Sequence, residues 1–330
     1  MGTRSPHSFD KRMKPNIWIS SSQARELLAK QLVTWPLLAR NYEALKNVHT
    51  KSFDLGGFTI RVQFNPGRIA SSGAKVDPRS IRERKCFLCP DHLPVEQERL
   101  PFGSRYLVLC NPYPIFPQHF TIATRKHEEQ RILPRFDDFL ELTRRLSDFT
   151  VFYNGPHSGA SAPDHAHFQA ATRDRMPIDT EMDRILAEEG TPIFVGADGS
   201  LQVFIHYLRN GFAITTSSPE RASQLFKKVY DALPIVAGET EPRMNLLAMY
   251  QEEQWKIRVI PRRQHRPWQY EAEGNDHLLS SPGAVDIGGL FILVRKEDFD
   301  KISPAILRDV YRQVCFSDAE ILEMAASIQA

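Results

Sequence analysis

The segment from Thr150 to Ala171 restricts the possible folds of this chain more than any other. It reads as a strand (Thr150 to Tyr153), a Gly/Ser/Pro loop (Asn154 to Asp164) and a second strand (His165 to Ala171). Two strands joined by a loop this short pair as antiparallel neighbours. The second strand carries His165-Ala166-His167-Phe168-Gln169. Strand side chains alternate, so His165, His167 and Gln169 are expected on one face, with Ala166 and Phe168 on the other, toward a core. A bare His-x-His also suits two surface histidines on an ordinary strand. The loop before it, Asn154-Gly155-Pro156-His157-Ser158-Gly159-Ala160-Ser161, separates the two cases. Its small residues let backbone N–H groups come close to a phosphate. A neutral imidazole is a good nucleophile toward phosphorus when its other ring nitrogen is held by an acceptor and donors neutralise the phosphate oxygens. His167 is therefore the candidate nucleophile. Asn154, Gln169 and Ser161 are candidate phosphate donors.

The rest of the chain mixes helices and strands. Ser20 to Leu45 has helical apolar spacing that Pro36 divides in two. Phe58 to Phe64 alternates as a strand and ends at Asn65-Pro66-Gly67, followed by Arg68. Ser71 to Arg84 is polar and reads as an exposed loop. Strands are predicted at Tyr106 to Cys110 and His119 to Thr124, and a helix over Phe136 to Asp148. Gln202 to Tyr207 and Phe212 to Thr216 flank Arg209-Asn210-Gly211, a hairpin signal because Asn-Gly tolerates positive φ. A helix follows from Ser218-Pro219 to Leu233. Asn245 to Tyr250 and Trp255 to Ile260 form a further strand pair. Leu290 to Val294 is another strand, and two C-terminal helices follow, the last with a capping box at Ser317 and Glu320. No short tandem repeat is present. The strand-helix style of the first half recurs in the second, which predicts two related α+β halves with a boundary near Pro177 to Gly199.

The four cysteines do not form a secreted disulfide framework. Cys86-Phe87-Leu88-Cys89 has metal-ligand spacing, and thiolate with imidazole suits tetrahedral zinc. His127 and His165 are the candidate third and fourth ligands, with His92 and His119 as alternatives. Four protein ligands leave no open position, so such a zinc would be structural. A basic run, Lys256, Arg258, Arg262, Arg263, His265, Arg266, lies between Trp255 and Trp268. Such runs are usually solvated faces. Strand alternation nevertheless sets Lys256, Arg258 and Arg262 on one face, where they are candidates for a polyphosphate or sugar phosphate, as is Arg68.

The formal net charge is only +2, from 42 basic and 40 acidic residues. No general nucleic-acid or anionic-membrane role is expected from that balance. No apolar run approaches the ~18 residues that span a bilayer. Met1 to Lys14 is basic without an apolar core, and reads as a tail rather than a secretory signal. A reducing cytoplasm is the expected compartment.

His165-Ala-His167-Phe-Gln169, preceded by Asn154 and Gly159-Ala160-Ser161, resembles the active-site signature of the histidine-triad superfamily branch with glutamine in the third position. That branch includes galactose-1-phosphate uridylyltransferase, diadenosine tetraphosphate phosphorylase and the GDP-hexose phosphorylases. Asn111-Pro-Tyr113-Pro-Ile-Phe-Pro-Gln-His119-Phe-Thr-Ile is most similar to the phosphorylases. So are Asn245-Leu-Leu, Trp255 and Val259-Ile-Pro-Arg262. Asp164 lengthens the link from Ser161 to His165 by one residue relative to that pattern.

The resemblance implies an α+β architecture of antiparallel sheets with helices. Two fused histidine-triad-like halves are expected, residues 15–185 with the active motif and 186–330 without it, after a tail over 1–14. It implies that His167 is nucleotidylated, that Gln169 and Asn154 contact the transferred phosphate, and that Asn111 and Tyr113 lie near the nucleoside. Zinc-bearing members resemble Cys86, Cys89, His127 and His165 in their ligand set. The expected activity is a nucleotidyltransferase or phosphorylase acting on a dinucleoside polyphosphate or nucleoside-diphosphate sugar, with phosphate or a sugar phosphate as acceptor. The alternatives are a hydrolase, with water as acceptor, and a non-catalytic nucleotide-binding protein.

Overall fold

The structure is a computed structural model and describes residues 18–69 and 76–329. The tail expected over 1–14 and the first part of the loop expected from Ser71 lie outside the described residues. Helices α1 (Ser21–Thr34) and α2 (Pro36–Leu45) break at Trp35-Pro36 as the proline requires. Strands β1 (His49–Asp54) and β2 (Thr59–Phe64) form a hairpin. The loop expected up to Arg84 instead contains a short helix, α3 (Pro78–Glu83), because Asp77 caps it by accepting from the Ser80 amide. The polar composition hid a surface helix with its own cap.

The next ten strands build one antiparallel sheet. In the first half they are β3 (Arg99–Phe102), β4 (Tyr106–Cys110), β5 (His119–Thr124), β6 (Phe149–Asn154) and β7 (His167–Thr172). Helix α4 (Phe136–Arg145) lies between β5 and β6, and α5 (Pro177–Glu189) follows β7. In the second half they are β8 (Thr191–Gly196), β9 (Gly199–Phe204), β10 (Gly211–Thr216), β11 (Met244–Gln251) and β12 (Gln254–Pro261). Helix α6 (Pro219–Ala232) lies between β10 and β11. The chain closes with α7 (Ala284–Ile287), β13 (Leu290–Leu293), α8 (Lys296–Lys301), α9 (Pro304–Val314) and α10 (Asp318–Gln329).

The strand order of the large sheet is β3-β4-β5-β7-β6-β11-β12-β10-β9-β8. Read outward from the β6–β11 junction, both sides have the same pattern, and each places its helix before the strand at the junction. Phe136 of α4 and Phe226 of α6 stack across it at 3.9 Å and 5°. The two sides differ where chemistry was expected. Between β6 and β7 the chain makes the long Gly/Ser loop. Between β11 and β12 it makes a tight turn with both Glu252 and Glu253 at positive φ.

Strand alternation divides the core by face. Tyr106, Val108, Phe120, Val151, Tyr153, Phe168 and Ala170 point to one cluster, covered by α1, α2, α4, α6 and α10. Phe152, Ala171, Leu247 and Ile260 point to the other. There they meet α5, α9 and the small sheet β1-β2-β13, in which β2 and β13 are parallel. Phe168 thus faces the core, as expected, and His167 and Gln169 face the opposite side.

Several expected boundaries shift. The helix predicted to Asp148 ends at Arg145. β8, within the expected boundary region, was missed. β9 and β10 pair as predicted, but the positive φ falls on His206 and Leu208 rather than on Asn210. Asn210 instead accepts from the Tyr207 amide and donates to Asp318. The Ser317/Glu320 capping box is present. No helix among the described residues is long and apolar enough to cross a membrane.

Candidate active site and metal centre

β6 and β7 pair only as far as Phe152 and Gln169, then separate. The Gln130 side chain fills the gap. Its Oε1 accepts from the His167 amide at 2.7 Å, and its Nε2 donates to the Asn154 and His167 carbonyls at 2.9 and 3.0 Å. Gln130 therefore satisfies the backbone groups that the ladder leaves open, and holds Asn154 and His167 on either side of a notch. Sequence reasoning missed it, because nothing near Gln130 marks it as a partner of residues that follow it by 24 and 37 positions.

The notch opens into a cavity of about 490 Å³. His167, Gln169, Asn154, Asn111, Tyr113, Gly159, Ser161 and Arg68 all line it. Carbonyls accept only, so the His167 Nδ1, 2.8 Å from the His165 carbonyl, carries the proton. Nε2 then holds the lone pair on the cavity side. Burial lowers the His167 pKa to about 4, which keeps the ring neutral near pH 7.

Both amide side chains are oriented by chains of unambiguous donors. Arg262 has only donors and gives one to Asn245 Oδ1 at 2.7 Å. Asn245 Nδ2 therefore donates to Asn154 Oδ1 at 2.9 Å, which also accepts from the Ala284 amide at 2.6 Å. Asn154 is left with its Nδ2 donors for the cavity. On the other side, the Ile115 amide donates to His119 Nδ1 at 3.2 Å, so His119 Nε2–H donates to Gln169 Oε1 at 2.9 Å. Gln169 likewise turns its Nε2 to the cavity. Burial and nearby Arg68 push the His119 pKa down to about 3, so it stays neutral and keeps this polarity. The cavity therefore presents one neutral imidazole lone pair between two amide donors.

Two sequence-based expectations need correction. Arg262 does not reach the cavity as a ligand. It is buried, and its donors go to the carbonyls of Val314, Pro282, Gln264 and His265 and to Asn245. It acts on Asn154 through Asn245. Lys256 and Arg258 do share a face, but both engage Asp183 of α5, which covers that face. The second correction is His165, which precedes β7 instead of lying within it. The Ala166 carbonyl still accepts from the Thr124 amide in register with β5, but the Ala166 amide donates to the Glu128 carbonyl, so the ladder ends there and His165 turns away from the cavity.

His165 turns toward the cysteines. Its Nε2 donates to the Thr124 carbonyl at 2.8 Å, leaving Nδ1 as a ligand, 3.3 Å from Cys86 Sγ and 3.6 Å from Cys89 Sγ. Cys89 Sγ is 3.3 Å from His127 Nδ1. The ligand atoms of Cys86, Cys89, His127 and His165 all lie within 4.8 Å of one another. A tetrahedron with metal–sulfur bonds of about 2.3 Å and metal–nitrogen bonds of about 2.0 Å has edges of roughly 3.3–3.8 Å, so the four residues fit a metal ion. The Thr124 carbonyl is the outer partner that fixes the His165 tautomer. Asp164, the additional residue, pairs with Arg84 at 2.6 Å and lies 3.7 Å from His127. The alternative ligands are engaged elsewhere: His92 donates to the Cys86 carbonyl and His119 holds Gln169. None of the four cysteines forms a disulfide, and burial pushes Cys110 up to about 12 and Cys315 up to about 11.

The Gly/Ser loop is fixed from outside. The Gly155 amide donates to the Met244 carbonyl and the Ser158 amide to the Gly155 carbonyl, and Gly159, Ala160 and Ser161 line the cavity. Gly159 has φ +91°, and a Cβ there would lie 2.4 Å from Gly283 Cα. Gly159→Ala is expected to push the loop off the Pro282 to Ala284 segment and lower turnover at least about tenfold, through misplacement of donors. Steady-state rates beside a melting curve check this, and wild-type turnover would contradict it.

Residues 27–172 match a family model described as a domain of unknown function, DUF4922. Diadenosine 5',5'''-P1,P4-tetraphosphate phosphorylase 2 of Saccharomyces cerevisiae is 29% identical over 142 residues, covering 38% of this chain and 43% of the relative. That alignment thus spans less than half the length of the curated relative. The crystal structure of yeast Ap4A phosphorylase Apa2 superposes with a TM-score of 0.53 at 17% identity, over 89% of this chain and 94% of that one. Its complex with AMP gives the same TM-score, identity and share of this chain, with 98% of that chain covered. The fold is histidine-triad-like. The chain thus shares the fold of yeast Ap4A phosphorylase.

Proposed function

We propose that the protein is a nucleotidyltransferase or phosphorylase that acts on a dinucleoside polyphosphate or a nucleoside-diphosphate sugar through a covalent nucleotidyl-His167 intermediate. The observation that carries this reading is the pair of oriented amides, Asn154 Nδ2 and Gln169 Nε2, beside the His167 Nε2 lone pair. The His167 Nε2 attacks the α-phosphorus, a P–N bond forms, and the P–O bond to the diphosphate-linked group breaks with its electrons on the leaving oxygen. Asn154 and Gln169 donate to the non-bridging oxygens as charge builds. The His165 carbonyl, accepting from Nδ1–H, stabilises the positive charge that develops on the ring. Phosphate or a sugar phosphate then attacks phosphorus, and the P–N electrons return to Nε2. The yeast relative, named for phosphorolysis of diadenosine tetraphosphate, supports phosphate as acceptor.

We assign Asn111 and Tyr113 to the nucleoside, and Ser161, Gly159 and Arg68 to the phosphates. Arg68 donates to the Tyr113 carbonyl, and burial lowers its pKa to about 10, which leaves it cationic at the cavity wall. We read the metal as zinc with a structural role, since all four positions are protein ligands. We also read the chain as two fused halves, 15–185 and 186–330, working in the cytoplasm. The test is product analysis. Diadenosine tetraphosphate and nucleoside-diphosphate sugars are incubated with phosphate, with a sugar phosphate, or with neither. Acceptor-dependent products support transfer. Products formed equally without acceptor make it a hydrolase, and binding without products makes it a binding protein.

A further inference from the structure

Neither the proposed mechanism nor the metal ligand set uses the Asp164 carboxylate, yet each of its oxygens has a partner at the metal centre. Oδ1 accepts from Arg84 Nη2 at 2.6 Å, and Oδ2 lies 3.7 Å from His127 Nε2, within ion-pair range. His127 is one of the four ligand residues. Arg84 caps the C-terminus of α3, two residues before Cys86. It also lies over the Phe87 ring, 4.9 Å from the centroid. Phe87 and Leu88, between the two cysteines, line the cavity. Asp164 thus joins a ligand histidine to the turn that carries the cysteine ligands and part of the cavity wall.

The proton positions follow from these partners. His127 Nδ1 is the ring nitrogen beside Cys89 Sγ, at 3.3 Å, so Nδ1 keeps the lone pair for a metal and Nε2 carries the proton of the neutral ring. A carboxylate only accepts, so the His127 Nε2–H and Asp164 Oδ2 attract. His165 has the same arrangement, with Nδ1 beside the cysteines and Nε2–H donating to the Thr124 carbonyl. Each ligand histidine therefore has an acceptor behind it, a carbonyl for His165 and a carboxylate for His127. An acceptor in that position fixes the ring and strengthens the opposite nitrogen as a ligand, and a charged one does so more strongly. His127 has the greater need of it, because its side chain is 48% exposed whereas His165 is buried.

We infer that Asp164 is a positioning residue of the metal centre: Oδ2 holds His127 by its Nε2–H and keeps Nδ1 aimed at the metal, while Arg84 fixes the carboxylate through Oδ1. This rests on the reading that Cys86, Cys89, His127 and His165 hold zinc. Asp164→Asn separates this role from a purely structural one. The amide keeps an Oδ1 acceptor for Arg84 and turns an N–H against the His127 Nε2–H. The tie to Arg84 survives and the tie to His127 is lost.

The test is the zinc affinity of the full chain, measured by competition with a chromogenic chelator, which needs no turnover. Asp164→Asn is expected to bind zinc about 10–100-fold more weakly than wild type. Its metal-free form should melt within about 3 °C of metal-free wild type, because one partly exposed ion pair adds little stability. Cobalt(II) in place of zinc should give the same tetrahedral absorption bands in both proteins, since the four ligands are unchanged. Arg84→Gln, which leaves the carboxylate in place, should weaken zinc binding about threefold or less. A loss under about tenfold in Asp164→Asn overturns the inference. So does an equal loss in Arg84→Gln, or a metal-free Asp164→Asn that melts well below metal-free wild type, since either makes Asp164 a structural residue. Altered cobalt bands would make it a ligand and overturn the inference as well. Wild-type protein that takes up no zinc overturns the metal reading, whereas the other outcomes leave that reading standing.

Discussion

His167→Ala is expected to lower nucleotidyl transfer by at least about 10⁴-fold, the scale on which nucleophile removal acts. The variant should fold. The lost side chain contributes one hydrogen bond to the His165 carbonyl, about 1 kcal/mol. The His167 amide still donates to Gln130, and the β7 ladder does not depend on the ring. Gln169→Ala should fall less, by about 10²–10³, because it removes one donor to a developing charge and leaves the nucleophile. The ordering of the two losses distinguishes a covalent role from mere binding. Single-turnover rates with saturating nucleotide measure it, and a loss below tenfold for His167→Ala would remove the nucleophile from the account.

Metal removal should have the next largest effect. The cluster joins the Cys86–Cys89 turn, the segment after β5 and the residue before β7. It also sets the backbone at His165, whose carbonyl orients His167, and it carries Leu88 on the cavity wall. Ligand binding that exists only in the folded state adds directly to stability. Stripping the metal or making Cys86→Ser is therefore expected to lower Tm by about 10 °C, taking roughly 2–4 °C per kcal/mol for a domain of this size. Turnover should fall in parallel. Metal analysis, a melting curve and an activity assay on one preparation check this. Fully active, metal-free wild-type protein with an unchanged Tm would refute the claim.

What could be seen in the sequence was what local chemistry marks. Alternation along the β7 segment gave the facing of Phe168, His167 and Gln169. The Cys86/Cys89 spacing singled out the pair that the structure brings to His127 and His165. Proline at position 36 divided the first helices. What was hidden depends on partners distant in sequence. Gln130 resembles any polar residue until β6 and β7 separate around it. His119, one of the alternative metal ligands, orients Gln169 because the Ile115 amide occupies its Nδ1. Arg262 read as a phosphate ligand because its charge is visible in a sequence, whereas the carbonyls that surround it are not. Periodicity in the sequence continues through His165, and only the bond from the Ala166 amide to the Glu128 carbonyl ends the ladder before it and turns it to the metal cluster.

In the proposed mechanism the His167 Nε2 takes up a nucleoside monophosphate. Intact-mass measurement after brief incubation with diadenosine tetraphosphate, without acceptor, tests it most directly. Wild-type protein should gain the mass of one nucleotidyl group, stable in base and lost in mild acid as a P–N bond is, and cleared on adding phosphate. His167→Ala should gain nothing. An adduct of equal yield on His167→Ala, or one that survives acid, would rule out a nucleotidyl-His167 intermediate.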